Sequence, residues 1–343
     1  MPEWETGGYE PMKFPKGNNV MRLQLASGAL AAAILATTGT AAAQTTGTAA
    51  AQAPGSAATR PAGSAQITEA ADAQRPGPAA RAATTRAAPP TAEERRRLVA
   101  AGQRGILLFE IARAGQLTTQ DMLARVPNPS QAGIAGWVAA PEAGGTMTVV
   151  YYADTPDGPV AVYRGQVAGT RIASREVFAG ADRPALTPTQ RRMAAARAAV
   201  ATLDRQPCGG TFNVFVVPPA AADGPVEVYK LSPQTQRGKY PLGGHFLATV
   251  APDGTVASTR AFTNSCVDLD APTALAGTQP RPLAVTHLLD PLPTEIHVFL
   301  SLWMNRPLLV ATGEPERLWT ISRGRIGVVG ASPTRTPPPG PGR

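Results

Sequence analysis

All three histidines of the chain, His245, His287 and His297, fall in one stretch of the second half, and Glu295 stands two residues before the last of them. Imidazole nitrogens and a carboxylate are the donor types that suit Zn²⁺. A carboxylate beside a histidine can also orient the ring as a general base. The sharp reading is therefore a metal-dependent or acid–base hydrolase built on His245, Glu295 and His297, with His287 as a further ligand. No recognised ligand spacing such as HExxH supports it, however. A strand is expected over Glu295–Trp303, burying Ile296, Val298, Leu300 and Leu302. Glu295, His297, Phe299, Ser301 and Trp303 would then form its half-exposed face, where a histidine is ordinary. This plainer reading is preferred, and the sequence calls for no cofactor.

Other reactive patterns are missing from the sequence. It holds no GxSxG elbow, no Walker loop and no GxGxxG turn. Phe299 and Trp303 on one strand face, with Trp319 two strands away, could make an aromatic patch for a glycan or peptide, although covering the edge of the core is the preferred explanation. Cys208 and Cys266 are the only cysteines, without CxxC spacing. In an oxidising compartment such a pair most simply forms one disulfide. Closing the 58-residue loop between them contributes about 4 kcal/mol in the chain-entropy picture.

The elements that must position these groups show a recurring string. Asp157-Gly158-Pro159-Val160-Ala161-Val162-Tyr163-Arg164 returns as Asp223-Gly224-Pro225-Val226-Glu227-Val228-Tyr229-Lys230. Each copy follows an alternating apolar run (146–152 and 211–217) and precedes another that ends at Phe178 or Phe262. Three strands per copy are expected, with Asp-Gly-Pro as the turn between the first two. Gly243-Gly244 marks a close backbone approach before a further strand begins at His245.

A helix should precede each copy. Thr187-Pro188-Thr189-Gln190 combines a cap, a proline at the first helical position and a capping box. Met193, Ala196, Val200 and Leu203 then share one face. Thr91-Ala92-Glu93-Glu94 is a second capping box, opening a helix interrupted by Gly102 and Gly105. A short separate helix is expected from Thr118 or Thr119 to Pro127, and an extra strand over 133–139. A third unit over 283–326 would hold a short helix at Leu283–Leu289 and strands at Ile296–Trp303, Leu308–Ala311 and Leu318–Ser322. The fold class is thus α+β: helices packed on one or more antiparallel sheets, built from helix-plus-three-strand repeats at about 91–180 and 187–266, with 283–326 as a third unit.

The ends have a different character. Residues 21–43 (MRLQLASGALAAAILATTGTAAA) read as a signal peptide cleaved between Ala43 and Gln44. Residues 1–20 then look like an over-extended start. Residues 44–90 are mostly Ala, Thr, Pro, Gly, Ser and Gln with scattered Arg, and Ile67 is the sole larger aliphatic, so they are expected to form a disordered linker, and 331–343 a disordered tail. The mature chain needs no transmembrane span. The net charge is +8 and mostly Arg, yet no aromatic residues interleave with the Arg residues, so specific nucleic-acid binding is not expected. The expected protein is periplasmic or secreted, a binding or scaffolding module whose partner is an envelope protein, peptide or glycan. Adhesion to anionic surface polymers through scattered Arg is a third reading.

Overall fold

The computed structural model describes residues 89–126, 128–270, 281–313 and 316–330. The linker up to residue 88, with the expected start, signal peptide and Ala43–Gln44 site, and the tail from 331 lie outside the described residues. The described residues all fall in one compact unit.

Helix α1 (Ala92–Arg125) opens as its sequence predicts. The Thr91 hydroxyl accepts the Glu94 amide at 3.2 Å, and the Glu94 carboxylate accepts the Thr91 amide at 2.8 Å. It then runs unbroken for 34 residues, where two helices were expected. Its glycines do not end it; they let neighbours approach. A Cβ on Gly105 would lie 2.5 Å from the Val298 Cβ, and one on Gly115 would lie 2.7 Å from the Trp137 ring. Nor do Thr118 and Thr119 cap a second helix. Their hydroxyls bond back to the carbonyls of Ala114 and Gly115, at 2.8 and 2.7 Å.

The next elements form two antiparallel meanders. Strands β1 (Ile134–Pro141), β2 (Thr146–Ala153), β3 (Val160–Ala168) and β4 (Arg171–Val177) make the first. Helix α2 (Pro188–Ala201) follows, with Thr187 and Gln190 completing their capping box. Strands β5 (Asn213–Val217), β6 (Val226–Leu231), β8 (Phe246–Val250) and β9 (Val256–Ala261) make the second, in the order β5-β6-β8-β9. A short ribbon of β7 (Lys239–Pro241) and β10 (Asp268–Asp270) stands apart from it. Met193, Ala196 and Val200 of α2 pack with Val138 and Val150 of the first sheet and with Val216 and Val228 of the second. One apolar helix face thus covers both sheets.

The recurring strings occupy different places in these meanders. The first opens β3, third in its sheet, and the second opens β6, second in its sheet. The strand expected to close the second copy, β9, pairs with β8 and not with β6. The matched basic positions also differ. Arg164 reaches the exposed Glu176 at 2.9 Å. Lys230 is buried, and its ammonium bonds the Leu203 carbonyl at 3.2 Å beyond the end of α2.

The region expected as a third unit is exchanged in type. Leu283–His287 is a strand, β11, not a helix, and Glu295–Met304 is a helix, α3, not a strand. Strands β12 (Leu308–Thr312), β13 (Arg317–Ser322) and β14 (Arg325–Val328) complete a sheet of order β11-β12-β13-β14. Strand β11 pairs parallel with β12, so α3 is the crossover between them and this sheet is mixed. Every residue from Ile296 to Ser301 is buried. A segment apolar on all sides satisfies an alternating pattern and a buried helix equally, and here the helix has neighbours on every side. Val298, Leu300 and Met304 share a core with Leu108 and Ile111 of α1, Phe215 of β5 and Leu308 and Ile321 of the third sheet.

Candidate functional site

The beginning of α3 opens into a cleft of about 370 Å³, bounded by α1, by β6, β8 and β9 of the second sheet, and by the β11–α3 connection. Helix α1 presents Arg97, Ala100, Ala101 and Arg104 to it, positions one turn apart on one helix face. Strand β6 presents Glu227 and Tyr229, which alternate with buried Val226 and Val228. Arg260 comes from β9, and Asp290, Thr294 and Glu295 from the approach to α3 and its first turn.

Most of these charges are tied to one another. Arg104 meets the Glu227 carboxylate at 3.0 Å. Arg260 meets Asp290 at 2.8 Å, while its guanidinium lies over the Phe262 ring. The Tyr229 hydroxyl donates to Glu295 at 3.1 Å. Burial pushes the Tyr229 phenol up, and the charges of Glu295 and Glu227 push it further, so it stays protonated and a donor. Burial would also raise Asp290. The bond from His287 and the charge of Arg260 outweigh this and hold its carboxyl below the usual carboxylate range. Arg97 is exposed and has no partner among the described residues.

The structure brings together only part of the set expected from sequence. The rings of His287 and His297 meet edge to face with centroids 4.6 Å apart. His287 bonds Asp290 through Nε2 at 2.7 Å. His297 sits in the first turn of α3, where its Nδ1 accepts the Thr294 amide at 3.1 Å. Burial, and then the neighbouring His287, lower His297 to about 3. His245 belongs to the disulfide loop. Its Nδ1 accepts the Ser232 amide at 3.1 Å and its Nε2 donates to the Pro241 carbonyl at 2.8 Å, so both nitrogens are used. Burial lowers it to about 4. Glu295 and His297 were expected on one face. On a helix two residues apart they diverge, Glu295 to Tyr229 and His297 into the core. No group of three metal-capable side chains converges among the described residues, so His245, His287, Glu295 and His297 do not form one centre.

The aromatic patch is not a surface either. Trp319 is fully buried and its indole donates to the Thr312 hydroxyl at 2.8 Å. Phe299 is buried with Trp303 against it, ring centroids 5.3 Å apart. Both rings cover core.

The cysteines do join. The Cys208–Cys266 bond has Cα atoms 5.4 Å apart. Gly243 and Gly244 run alongside: a Cβ on Gly244, where φ is +70°, would lie 2.5 Å from the Cys208 sulfur, and one on Gly243 would strike the Ser265 carbonyl. The Ser232 hydroxyl bridges the loop, accepting the Cys208 amide and donating to the Gly244 carbonyl, both at 2.9 Å.

Arg97, Arg104, Glu227, Tyr229, Arg260 and Asp290 are the cleft residues that a search for histidine clusters passes over. Two signals carried them: the turn-spaced Arg97 and Arg104 on α1, and the polar face of the alternating Val226–Tyr229. No helix among the described residues is long and apolar enough to cross a membrane. The chain matches no family model, and no curated protein and no solved structure is significantly similar to it.

Proposed function

We propose that this is an exported binding module, periplasmic or secreted, whose cleft at the start of α3 takes a short free peptide. The observation that carries the reading is the cleft itself. Its lining sets Arg97, Arg104 and Arg260 against Glu227, Asp290 and Glu295, with Tyr229 between two of the carboxylates. A balanced and largely pre-paired lining favours a ligand bearing both signs of charge. Groups already held by neighbours need little reordering on binding. Arg97 would take the peptide carboxylate, and Glu295 the amino terminus. The volume of about 370 Å³ suits a dipeptide or tripeptide. The Cys208–Cys266 bond supports the exported setting, since such bonds persist in oxidising compartments. Adhesion to polymers through Arg is the weaker reading, because Arg104, Arg164 and Arg260 already meet carboxylates of the chain.

The test is calorimetric titration of the mature protein with a panel of dipeptides and tripeptides. Binding by members with free termini is expected. Arg97→Gln should weaken it about tenfold, the scale of one charge-assisted hydrogen bond, and leave the melting temperature unchanged. A panel without a binder, or an Arg97→Gln protein that binds as tightly as the parent, overturns the reading.

A further inference from the structure

A second hollow lies on the other side of α1. It is a groove of about 530 Å³ between the first four turns of that helix and strand β14. Leu98, Val99 and Ile106 line it from α1, and Ile326 and Val328 from β14. Val99 is 59% exposed there, high for a valine flanked by apolar neighbours. The charges in the lining are Arg95 and Arg325, with no carboxylate among the lining residues. The Arg95 guanidinium bonds only the Pro90 carbonyl, and Arg325 has no side-chain partner among the described residues.

The groove also holds open backbone. Strand β14 ends the order β11-β12-β13-β14 and pairs with β13 alone. The two strands join through Arg323 and Gly324, with φ of 50° and 77°, the conformation of a two-residue hairpin turn. In such a hairpin the flanking pair, Ser322 and Arg325, exchanges both ladder bonds, as does Thr320 with Gly327. Ile326 and Val328 therefore turn their amides and carbonyls away from β13, toward the unpaired edge. No bond from these outward groups to another described strand closes that edge.

We propose that this groove is a docking site for an extended peptide segment of a partner protein, one in which apolar and acidic residues alternate. The segment would add as a strand to β14, its backbone pairing with Ile326 and Val328. Its apolar side chains would rest on Leu98, Val99 and Ile106, and its carboxylates would meet Arg95 and Arg325. Main-chain pairing supplies affinity in this mode, and alternate side chains supply selectivity. Charge fixes the class of occupant. The chain's own tail beyond Gly330, ASPTRTPPPGPGR, has no acidic residue, carries Arg335 and Arg343, and contains five prolines that offer no amide to a ladder. A second copy pairing its own β14 would bring Arg325–Val328, which carries an arginine and no carboxylate to meet Arg95 and Arg325.

The experiment uses the mature protein and a panel of fluorescent, terminally blocked hexapeptides without proline. Apolar residues alternate with Glu or Asp in one set, and with Lys in the other. Fluorescence polarisation should show binding by the acidic set at least tenfold tighter than by the lysine set. Arg325→Glu should narrow or reverse that ratio while the melting temperature holds. Amide exchange at Ile326 and Val328 should slow when an acidic peptide is bound. Equal binding of the two sets, no binding by either, or binding that leaves those two amides unprotected overturns the proposal. Protection without peptide that rises with protein concentration would assign the groove to a second copy. Protection without peptide that vanishes on removal of residues 331–343 would assign it to the tail. Either outcome also overturns the proposal. Blocked termini keep the result separate from the cleft, which is expected to need free ones.

Discussion

The two hollows flanking α1 share a helix and differ in almost everything else. On one side Arg97 and Arg104 face a second sheet and a helix start, where most charges are paired. On the other, Leu98, Val99 and Ile106 face an edge strand whose arginines lack carboxylates and whose outward amides lack a strand. A helix has room for both because residues one turn apart share a face while adjacent ones do not. The difference separates the two proposed ways of holding a ligand. The cleft presents fixed polar groups to something small. The groove presents apolar surface and unpaired backbone to something extended.

Acid should separate the two sides most strongly. Behind the cleft lie His297, which accepts the Thr294 amide and packs on His287 beside Asp290, and His245 in the disulfide loop. His297 and His245 are held at about 3 and about 4. An unfolded imidazole takes up its proton near pH 6.5. The folded rings stay neutral until much lower pH, so acid favours the unfolded chain. The stability they hold is whole above about pH 6.5 and is lost as pH falls toward about 4. At about pH 5 the two rings together should cost about 4 kcal/mol relative to about pH 7.5. Urea unfolding across this range checks the size. Amide exchange checks the place: protection at Thr294–His297 and Ser232 should fall before protection at Ile106 and Ile321. A flat profile, or a groove that opens first, breaks the contrast.

The next largest effect comes from the point where the helices behind both hollows cross. Gly105 lets α1 lie against α3, and a methyl group there meets both Val298 and the Glu295 carbonyl at under 3 Å. Gly105→Ala should therefore destabilise by about 2–3 kcal/mol, although alanine is the better helix former by about 1 kcal/mol. Thermal unfolding measures it, and an unchanged or higher melting temperature would mean that the crossing is not close-packed. Because α1 walls both hollows, peptide binding should weaken in each.

Those two sites also show what could and could not be read from the chain. The capping boxes at Thr91 and Thr187 are local, since each cap is complete within four residues, and both formed. The disulfide followed from there being only two cysteines, and the close approach at Gly243-Gly244 from there being no side chain. Gly102 and Gly105 were misread as a break because their reason is tertiary: a helix and a turn, far along the chain, that need the space. Segment 295–304 was misread because alternation and all-round burial coincide in ten largely apolar residues, and only neighbours decide between strand and helix. The cleft was hidden for a third reason. Its charged residues come from α1, β6, β9 and the start of α3, so no sequence window contains them. The histidines drew notice by rarity, and the structure uses them mainly as buried acceptors and donors of the scaffold.

The smallest effect bears on whether the cleft really is pre-paired. Arg104 and Glu227 are each about two-thirds removed from solvent, with side chains 33% and 29% exposed. The Glu227 oxygen that Arg104 meets is itself buried and has no other partner. Arg104→Gln should leave that oxygen short of its counter-charge at a cost of about 1–2 kcal/mol, less than a fully buried pair would lose. Glu227→Gln in the same protein should return most of the loss, because two amides can bond each other without a buried charge. A double-mutant cycle by urea unfolding reads the coupling directly. Gln103, the exposed neighbour of Arg104, supplies the contrast, since Gln103→Ala should stay within about 0.5 kcal/mol of the parent. If Arg104→Gln is equally silent, the cleft's charges are held by solvent and not by one another. The ligand would then have to organise them, which removes the reason for expecting a small peptide to bind there without rearrangement.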